Sequence, residues 1–157
     1  MENTGYDLNH HLTYRIARLH ARLNAQATGL LKSHIQVSLS EWRILSILYN
    51  TDVETQKDVL EAMGLDKGQI SRTLKRLEHN CLIRLSIVEN DHRQRQIDLT
   101  EKGRELIQKM LPVMAKRQAH LQSGMELEEI EMLFSLISKL EQKAHYLELA
   151  PSCEDTS

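Results

Sequence analysis

Apolar residues along this chain recur at two periods, and the switch between them marks its organisation. Leu8, Leu12, Ile16, Leu19 and Leu23 recur at spacings of three and four, which predicts a helix over 8–32, interrupted only by Gly29. Ser38-Leu39-Ser40-Glu41 reads as a capping box for a helix from Glu41 to about Tyr49, with Trp42, Leu45, Ile47 and Leu48 apolar. After a loop at 50–54, Thr55 caps a helix over Gln56 to Met63, with Val59, Leu60 and Met63 inward and Gly64 at its left-handed exit. Asp66 caps the next helix, and Gln69 at its third position completes a second box. At 100° per residue Leu74 and Leu77 fall within about 40° of Ile70, one buried stripe. The period then drops to two. Ile83, Leu85 and Ile87 alternate with Arg84, Ser86 and Val88, and Ile97 and Leu99 with Gln96 and Asp98, the pattern of two strands. Between them 89–95 is polar and able to turn. Thr100 caps a helix from Glu101 to about Leu121, in which Pro112 predicts a kink or a break. Ser123-Gly124-Met125-Glu126 is a stop and cap, and Ile130, Leu133, Phe134, Ile137, Leu140, Ala144 and Leu147 carry a last helix from Leu127 to about Leu149.

A short helix, a tight glycine turn, a capped basic helix and a hairpin make a winged helix-turn-helix, in a fold that is mainly α with a small β-hairpin. The face of the basic helix opposite its apolar stripe carries Gly68, Arg72 and Lys75, flanked by Ser71. Arg and Lys suit phosphate oxygens and guanine edges, and Ser bonds to either. Lys67 and Gln69 at the helix start join this set for the major groove, while Arg93 and Arg95 near the hairpin tip suit the minor groove and its phosphates. The long helices at both ends expose apolar stripes that one chain cannot bury. Residues 1–35 and 101–150 are therefore expected to form a homodimer around the DNA-binding domain at 36–100, with a disordered acidic tail at 151–157. Two reading heads on one face of double-stranded DNA stand about one helical turn apart, so the target is expected to be a near-palindrome.

Charge sharpens this picture. The 157 residues carry a net charge of −2, yet 66–95 hold seven Lys and Arg against four Asp and Glu, a local +3 on a body of −5. Such a patch orients approach to a polyanion, although a basic helix can also be merely solvated. Charged residues at 27% and hydrophobic ones at 41% are ordinary for a globular protein, and no apolar run reaches the roughly 18 residues of a membrane span. The first residues lack a secretion signature and the two cysteines suggest no disulfide framework, so a cytoplasmic location without membrane association is expected.

Other residues leave two readings open. Arg15, Arg18 and Arg22 share one flank of the first helix, as a solvated face or, with Tyr14 and Arg15 beside a helix junction, as a place to hold a carboxylate. Trp42 is core or pocket wall. Asn80 is expected to supply the left-handed turn after the basic helix, and Cys81 to be a small buried hydrophobe or a redox sensor. The eight histidines form no compact ligand cluster in sequence and neither cysteine lies near a second soft ligand, so no metal and no cofactor are expected. No G-x-S-x-G, H-E-x-x-H or phosphate-cradling loop is present, which argues against an enzyme. A protein-binding module on the same fold, or a redox- or metal-responsive regulator, are the alternatives.

The wing carries the most specific motif. The run Asp91-His92-Arg93-Gln94-Arg95-Gln96-Ile97-Asp98-Leu99-Thr100-Glu101-Lys102-Gly103 resembles the D-x-R…L-T-x-x-G signature of the MarR (multiple antibiotic resistance regulator) family. Residues 63–72 and 124–129 resemble that family as well, and the likeness extends over about Leu8 to Leu147. It implies a triangular homodimer with interlocked first and last helices, and a wing arginine at Arg93 that enters the minor groove, held in part by Asp91. It also implies a repressor released by a small-molecule effector, often an aromatic carboxylate, lodged between the dimer helices and the reading head. Tyr14, Arg15, Arg18, His34 and Trp42 are the residues expected to line that cleft, with Arg15 or Arg18 pairing the carboxylate. Cys81 departs from the family's usual glycine.

Overall fold

In the computed structural model the first helix begins one turn later than its apolar repeat. The Asp7 carboxylate accepts the Asn9 N–H at 2.9 Å and folds Leu8–His10 into a short 3-10 turn; extended His11 separates it from α1, Leu12–His34. The structure describes residues 7–53, 55–64, 66–88 and 91–145, without the side chains of 88, 91–94 and 145. The chain divides into two compact units, Met1–Met114 and Ala115–Ser157.

In the first unit, local capping chemistry sets most of the boundaries. The Ser38 hydroxyl accepts the Glu41 N–H at 3.2 Å while Glu41 Oε2 accepts the Ser38 N–H at 2.7 Å. A box pairs the cap with the third helical residue, so α2 runs Leu39–Asn50 and starts before Glu41. Helix α3, Gln56–Met63, is capped by Thr55 and ends at Gly64, whose φ of 59° needs no Cβ relief. Asp66 Oδ1 accepts the Gln69 N–H at 2.9 Å and starts α4, Lys67–His79. The expected second box is half made. Among the described residues the Gln69 side chain returns no bond to the Asp66 N–H, and it stays exposed.

The exit from α4 reverses the expected roles of Asn80 and Cys81. Asn80 keeps φ −81°, while Cys81 takes φ 57° and is exposed. The Cys81 N–H donates to Glu78 O at 2.8 Å and the Leu82 N–H to Leu77 O at 2.9 Å, the paired bonds of a Schellman turn. That turn puts its left-handed residue one step past the cap, and it drives Leu82 and Ile83 into the core.

Strand β1, Ile83–Val88, then pairs antiparallel with β2, Asp91–Leu99, matching Ile83 to Leu99, Leu85 to Ile97 and Ile87 to Arg95. The register shifts at Ile87/Val88, and Val88 faces Asp91. Residues 91–95, expected in the turn, thus belong to β2, with Arg95 paired to Ile87 and Asp91 to Val88 across the register shift; Glu89 and Asn90 lie outside the described residues. Ile87, in the same alternating set as buried Ile83, is 63% exposed, since the hairpin runs beyond the core. Thr55 bridges to Gln96, tying the helix-turn-helix to the base of the hairpin.

Leu31, Ile44, Leu45, Val59, Ile70, Leu74, Leu77, Ile83, Ile97, Ile107 and Met110 form one core, with Trp42 at its edge. Helix α5, Glu101–Gln122, closes it with Ile107 and Met110 and crosses from the first unit into the second. It runs on unbroken through Pro112, where a kink or a break was expected. Pro112 and Gln108, whose carbonyl the proline leaves unpaired, are both exposed, so water can serve that oxygen. In the second unit Gly124, φ 84°, ends the turn and Glu129 Oε2 accepts the Glu126 N–H at 2.9 Å ahead of α6, Leu127–His145. Leu133, Phe134, Leu136, Ile137 and Leu140 of α6 are all exposed. The expected continuation to Leu149 and the acidic tail lie outside the described residues.

Candidate nucleic-acid interface

Helix α4 has two chemically opposite sides. Ile70, Leu74 and Leu77 are buried to 1% or less, and Thr73 joins them by donating its hydroxyl to Gln69 O at 2.9 Å. Lys67, Gly68, Gln69, Arg72 and Lys75 are exposed and Ser71 is half-buried. The Arg72 guanidinium lies back toward the helix start: Nη1 is 3.4 Å from where a Cβ on Gly68 would stand, and Asp66 Oδ1 is 3.0 Å from the same point. The presented surface is thus two amines, a guanidinium, an amide and a hydroxyl, with Lys67 and Gln69 in the first turn, where the helix dipole favours anions.

The anchoring of α4 was not visible in the sequence. Arg76, one of the seven cations of the patch, donates through Nε to Glu41 Oε1 at 3.3 Å. Burial pushes the Glu41 carboxyl up, but the Ser38 hydroxyl and backbone N–H and the Arg76 charge together hold it below its ordinary value of 4.5. One carboxylate therefore starts α2 and pins α4. At the far end, Glu78 Oε1 accepts the Leu85 N–H at 3.2 Å and joins α4 to the wing.

The L-T-x-x-G motif is a junction. Thr100 Oγ1 donates to Cys81 O at 2.7 Å and accepts the Gly103 N–H at 3.0 Å, and the Lys102 amine donates to Asn80 O at 2.9 Å. Gly103 is buried with the Leu82 carbonyl pressed where a side chain would begin. Hence the last turn of α4, the entry to the wing and the start of α5 are tied to one another. Asp91, Arg93 and Arg95 all lie in β2. The Arg95 side chain is exposed, opposite Ile87; the side chains of Asp91 and Arg93 lie outside the described residues.

The five cleft residues are not gathered in one place within the chain. Arg15 and Arg18 line a hollow of about 210 Å³ on α1 with Ile16, Leu19 and Arg22, and the Arg18 guanidinium stands 5.8 Å from the centre of the Tyr14 ring. Trp42 lines another, of about 400 Å³, with His20, Arg43, Ser46, Ile47, Ala62 and Met63. His34 borders neither and turns Nδ1 to Leu30 O at 2.9 Å, at the end of α1. Their separation follows from placing the arginines in the early turns of α1 and His34 at its last residue. Among the described residues no three His, Cys, Asp or Glu side chains converge to hold a metal, and no helix is long and apolar enough to cross a membrane.

Residues 37–95 match the model of the MarR family. The crystal structure of a MarR/EmrR family transcriptional regulator from Acinetobacter sp. ADP1 is 29% identical, covers 90% of this chain and 99% of its own, and superposes with a TM-score of 0.83. The S. aureus MepR–DNA complex, 22% identical over 85% of this chain and 98% of its own, has the same fold at a TM-score of 0.78. So does Bordetella bronchiseptica BpsR, whose DNA binding is regulated by 6-hydroxynicotinic acid, at 20% identity, 81% and 98% coverage and a TM-score of 0.67. The winged head at 37–95 is thus similar to the MarR family, and most of the chain shares the fold of a MarR/EmrR family transcriptional regulator.

Proposed function

We propose that this protein is a homodimeric DNA-binding transcriptional regulator of the cytoplasm, a repressor of a near-palindromic operator that a small aromatic carboxylate releases. The observation that carries the reading is the division of α4 into a buried apolar side and an exposed side of Lys67, Gln69, Arg72 and Lys75, fastened directly to a hairpin. On a duplex, these residues and Ser71 meet the major groove, while Arg93 and Arg95 meet the minor groove with Asp91 holding Arg93. The head spans 36–100. Residues 1–35 and 101–150 supply the dimer, and the exposed apolar residues of α1 and α6 are its contact surface. MepR, with the same fold, has been captured on DNA. BpsR answers to an aromatic acid, and Arg15 or Arg18 offers the pairing group for one here, with Tyr14, His34 and Trp42 as further contacts. Such a ligand acts by fixing a head spacing that no longer matches successive grooves.

The test is selection of bound duplexes from a random-sequence library, followed by anisotropy titration across salt concentrations. The expected result is a two-fold symmetric motif and an affinity that falls steeply with salt, as phosphate neutralisation requires. Arg72→Ala and Arg93→Ala are each expected to cost about 1–3 kcal/mol. An affinity indifferent to salt overturns the reading in favour of a protein-binding module.

A further inference from the structure

One half-buried cation of the first unit has no counter-charge. Arg43 on α2 donates through Nη2 to Asn24 Oδ1 on α1 at 2.8 Å, and among the described residues no carboxylate pairs with it. Asn24 in turn sets its amide nitrogen 3.0 Å from His20 Nε2. The guanidinium is thus held by a neutral partner, and its other N–H groups meet no acceptor among the described residues. Two further donors beside it are in the same condition. Trp42 is 9% exposed, yet no described residue accepts from its indole N–H. Ser46 Oγ is buried and has no hydrogen-bond partner among the described residues. Nothing holds that hydroxyl, so turning it about its one side-chain torsion gives up no bond.

Buried donors are ordinarily paired, and these three share one cavity. Trp42, Arg43 and Ser46, with His20, line the hollow of about 400 Å³, whose remaining wall is Ile47, Ala62 and Met63. Its volume falls within the range of small-molecule sites, about 300–1,000 Å³. The hollow of about 210 Å³ beside Arg15 and Arg18 falls below that range and is lined by one helix.

We propose that the hollow between α1, α2 and α3 binds a small aromatic carboxylate, with the anion on Arg43 and the Trp42 N–H and the ring against Ile47 and Met63. The inference rests on release by such a ligand and gives it a seat within one chain, with Arg43 in the pairing role. Guanidinium and carboxylate match in charge and in geometry, and an apolar wall with a few convergent donors is the usual make-up of such a site. An occupant touches three helices at once. Met63 is the last residue before the Gly64 turn into α4, so the site adjoins the lead-in to the exposed cationic helix.

Trp42 is the only tryptophan in the chain, so its fluorescence reports on the hollow directly. Full-length protein is titrated with benzoate and with neutral benzamide, and release of a labelled duplex selected by the wild type is followed on the same samples. Benzoate is expected to change the Trp42 emission saturably. Arg43→Gln should weaken benzoate tenfold or more without affecting benzamide, and Arg43→Lys should recover part of the loss. Arg15→Gln with Arg18→Gln should change nothing. Ala62→Phe, at an exposed position on α3, should block benzoate by filling the hollow while Arg43 stays in place. The absence of a saturable response in wild type, an unchanged affinity in Arg43→Gln, or a loss on removing the α1 arginines overturns the site. Duplex release that survives Arg43→Gln overturns the site and keeps release by a carboxylate. Saturating benzoate held through Arg43 with the duplex still bound keeps the site and overturns that release.

Discussion

Arg76 on α4 and Glu41 on α2, 35 positions apart in the chain, meet with Nε 3.3 Å from Oε1. The Arg76 side chain is 57% exposed and that of Glu41 only 9%, so the acid supplies the fixed half of the pair. Because Glu41 Oε2 also accepts the Ser38 N–H, the same group that starts α2 sets where α4 lies. An arginine that reads as part of a DNA-facing patch is thus committed to orienting that patch.

Glu41→Gln keeps an acceptor for Ser38 and removes the charge opposite Arg76. It is expected to lower stability at pH 7 by about 1–2 kcal/mol, within the range for a hydrogen bond to a charged group. The folded carboxyl titrates below its ordinary 4.5. Its contribution is therefore complete above pH 4.5 and disappears as pH falls through the folded value. Urea unfolding of both proteins at pH 7 and in acid should show the gap between them closing below pH 4.5. A gap that persists there excludes the carboxylate as its source.

Gly103→Ala should be costly although glycine in a helix is normally the poorer residue. A methyl here meets the Leu82 carbonyl, a backbone atom held in the turn out of α4. The expected loss is at the upper end of about 1–3 kcal/mol for overpacking. Since Leu82 leads into the wing, DNA affinity should fall with stability. Denaturant midpoints and anisotropy on one preparation decide this.

Cys81→Gly should act in the other direction. A non-glycine residue in the left-handed region costs roughly 1–2 kcal/mol, and the extra freedom of glycine in the unfolded chain returns part of that. A net gain of about 0.5–1 kcal/mol is expected, which for a domain of this size raises the melting temperature by about 1–4 °C. An unchanged or lower melting temperature would mean that the thiol makes a compensating contact.

The caps were legible before the fold was seen because their chemistry is local. Ser38 with Glu41, Thr55, Gly64 and Asp66 each act within three or four residues, so they mark α2, α3 and α4 directly. The start of α1 was obscured by an equally local competitor, the Asp7 carboxylate on Asn9. At Asn80 and Cys81 the intrinsic left-handed preference of asparagine is worth less than burying Leu82 and Ile83, so tertiary structure chose the residue against propensity. The exposed cationic side of α4 could be read from one helix period. The Glu41–Arg76 pair, the Thr100–Cys81 bond and the placing of Arg15 and Arg18 at one hollow and Trp42 at another depend on residues far apart in sequence, and no period encodes them.

The exposed face of α6 makes the dimer testable independently of DNA. Leu133, Phe134, Ile137 and Leu140 are 44%, 53%, 40% and 37% exposed and recur at three-four spacing, so they form a continuous apolar stripe. Covering a side chain of this kind fully is worth about 1.5–3 kcal/mol, and four part-covered ones on each of two chains outweigh what a surface helix loses by ordering. A charge placed in the stripe must be desolvated on association, whereas in a monomer it stays in water at little cost. Phe134→Glu together with Ile137→Glu should therefore leave helix content nearly unchanged while shifting the sedimentation coefficient from dimer to monomer at micromolar concentration. With the heads no longer linked, the second half-site stops benefiting from the first, and affinity for a symmetric duplex should fall by a factor of 10² or more while affinity for a single half-site changes little. A variant that still sediments as a dimer would place the subunit contact elsewhere than on α6.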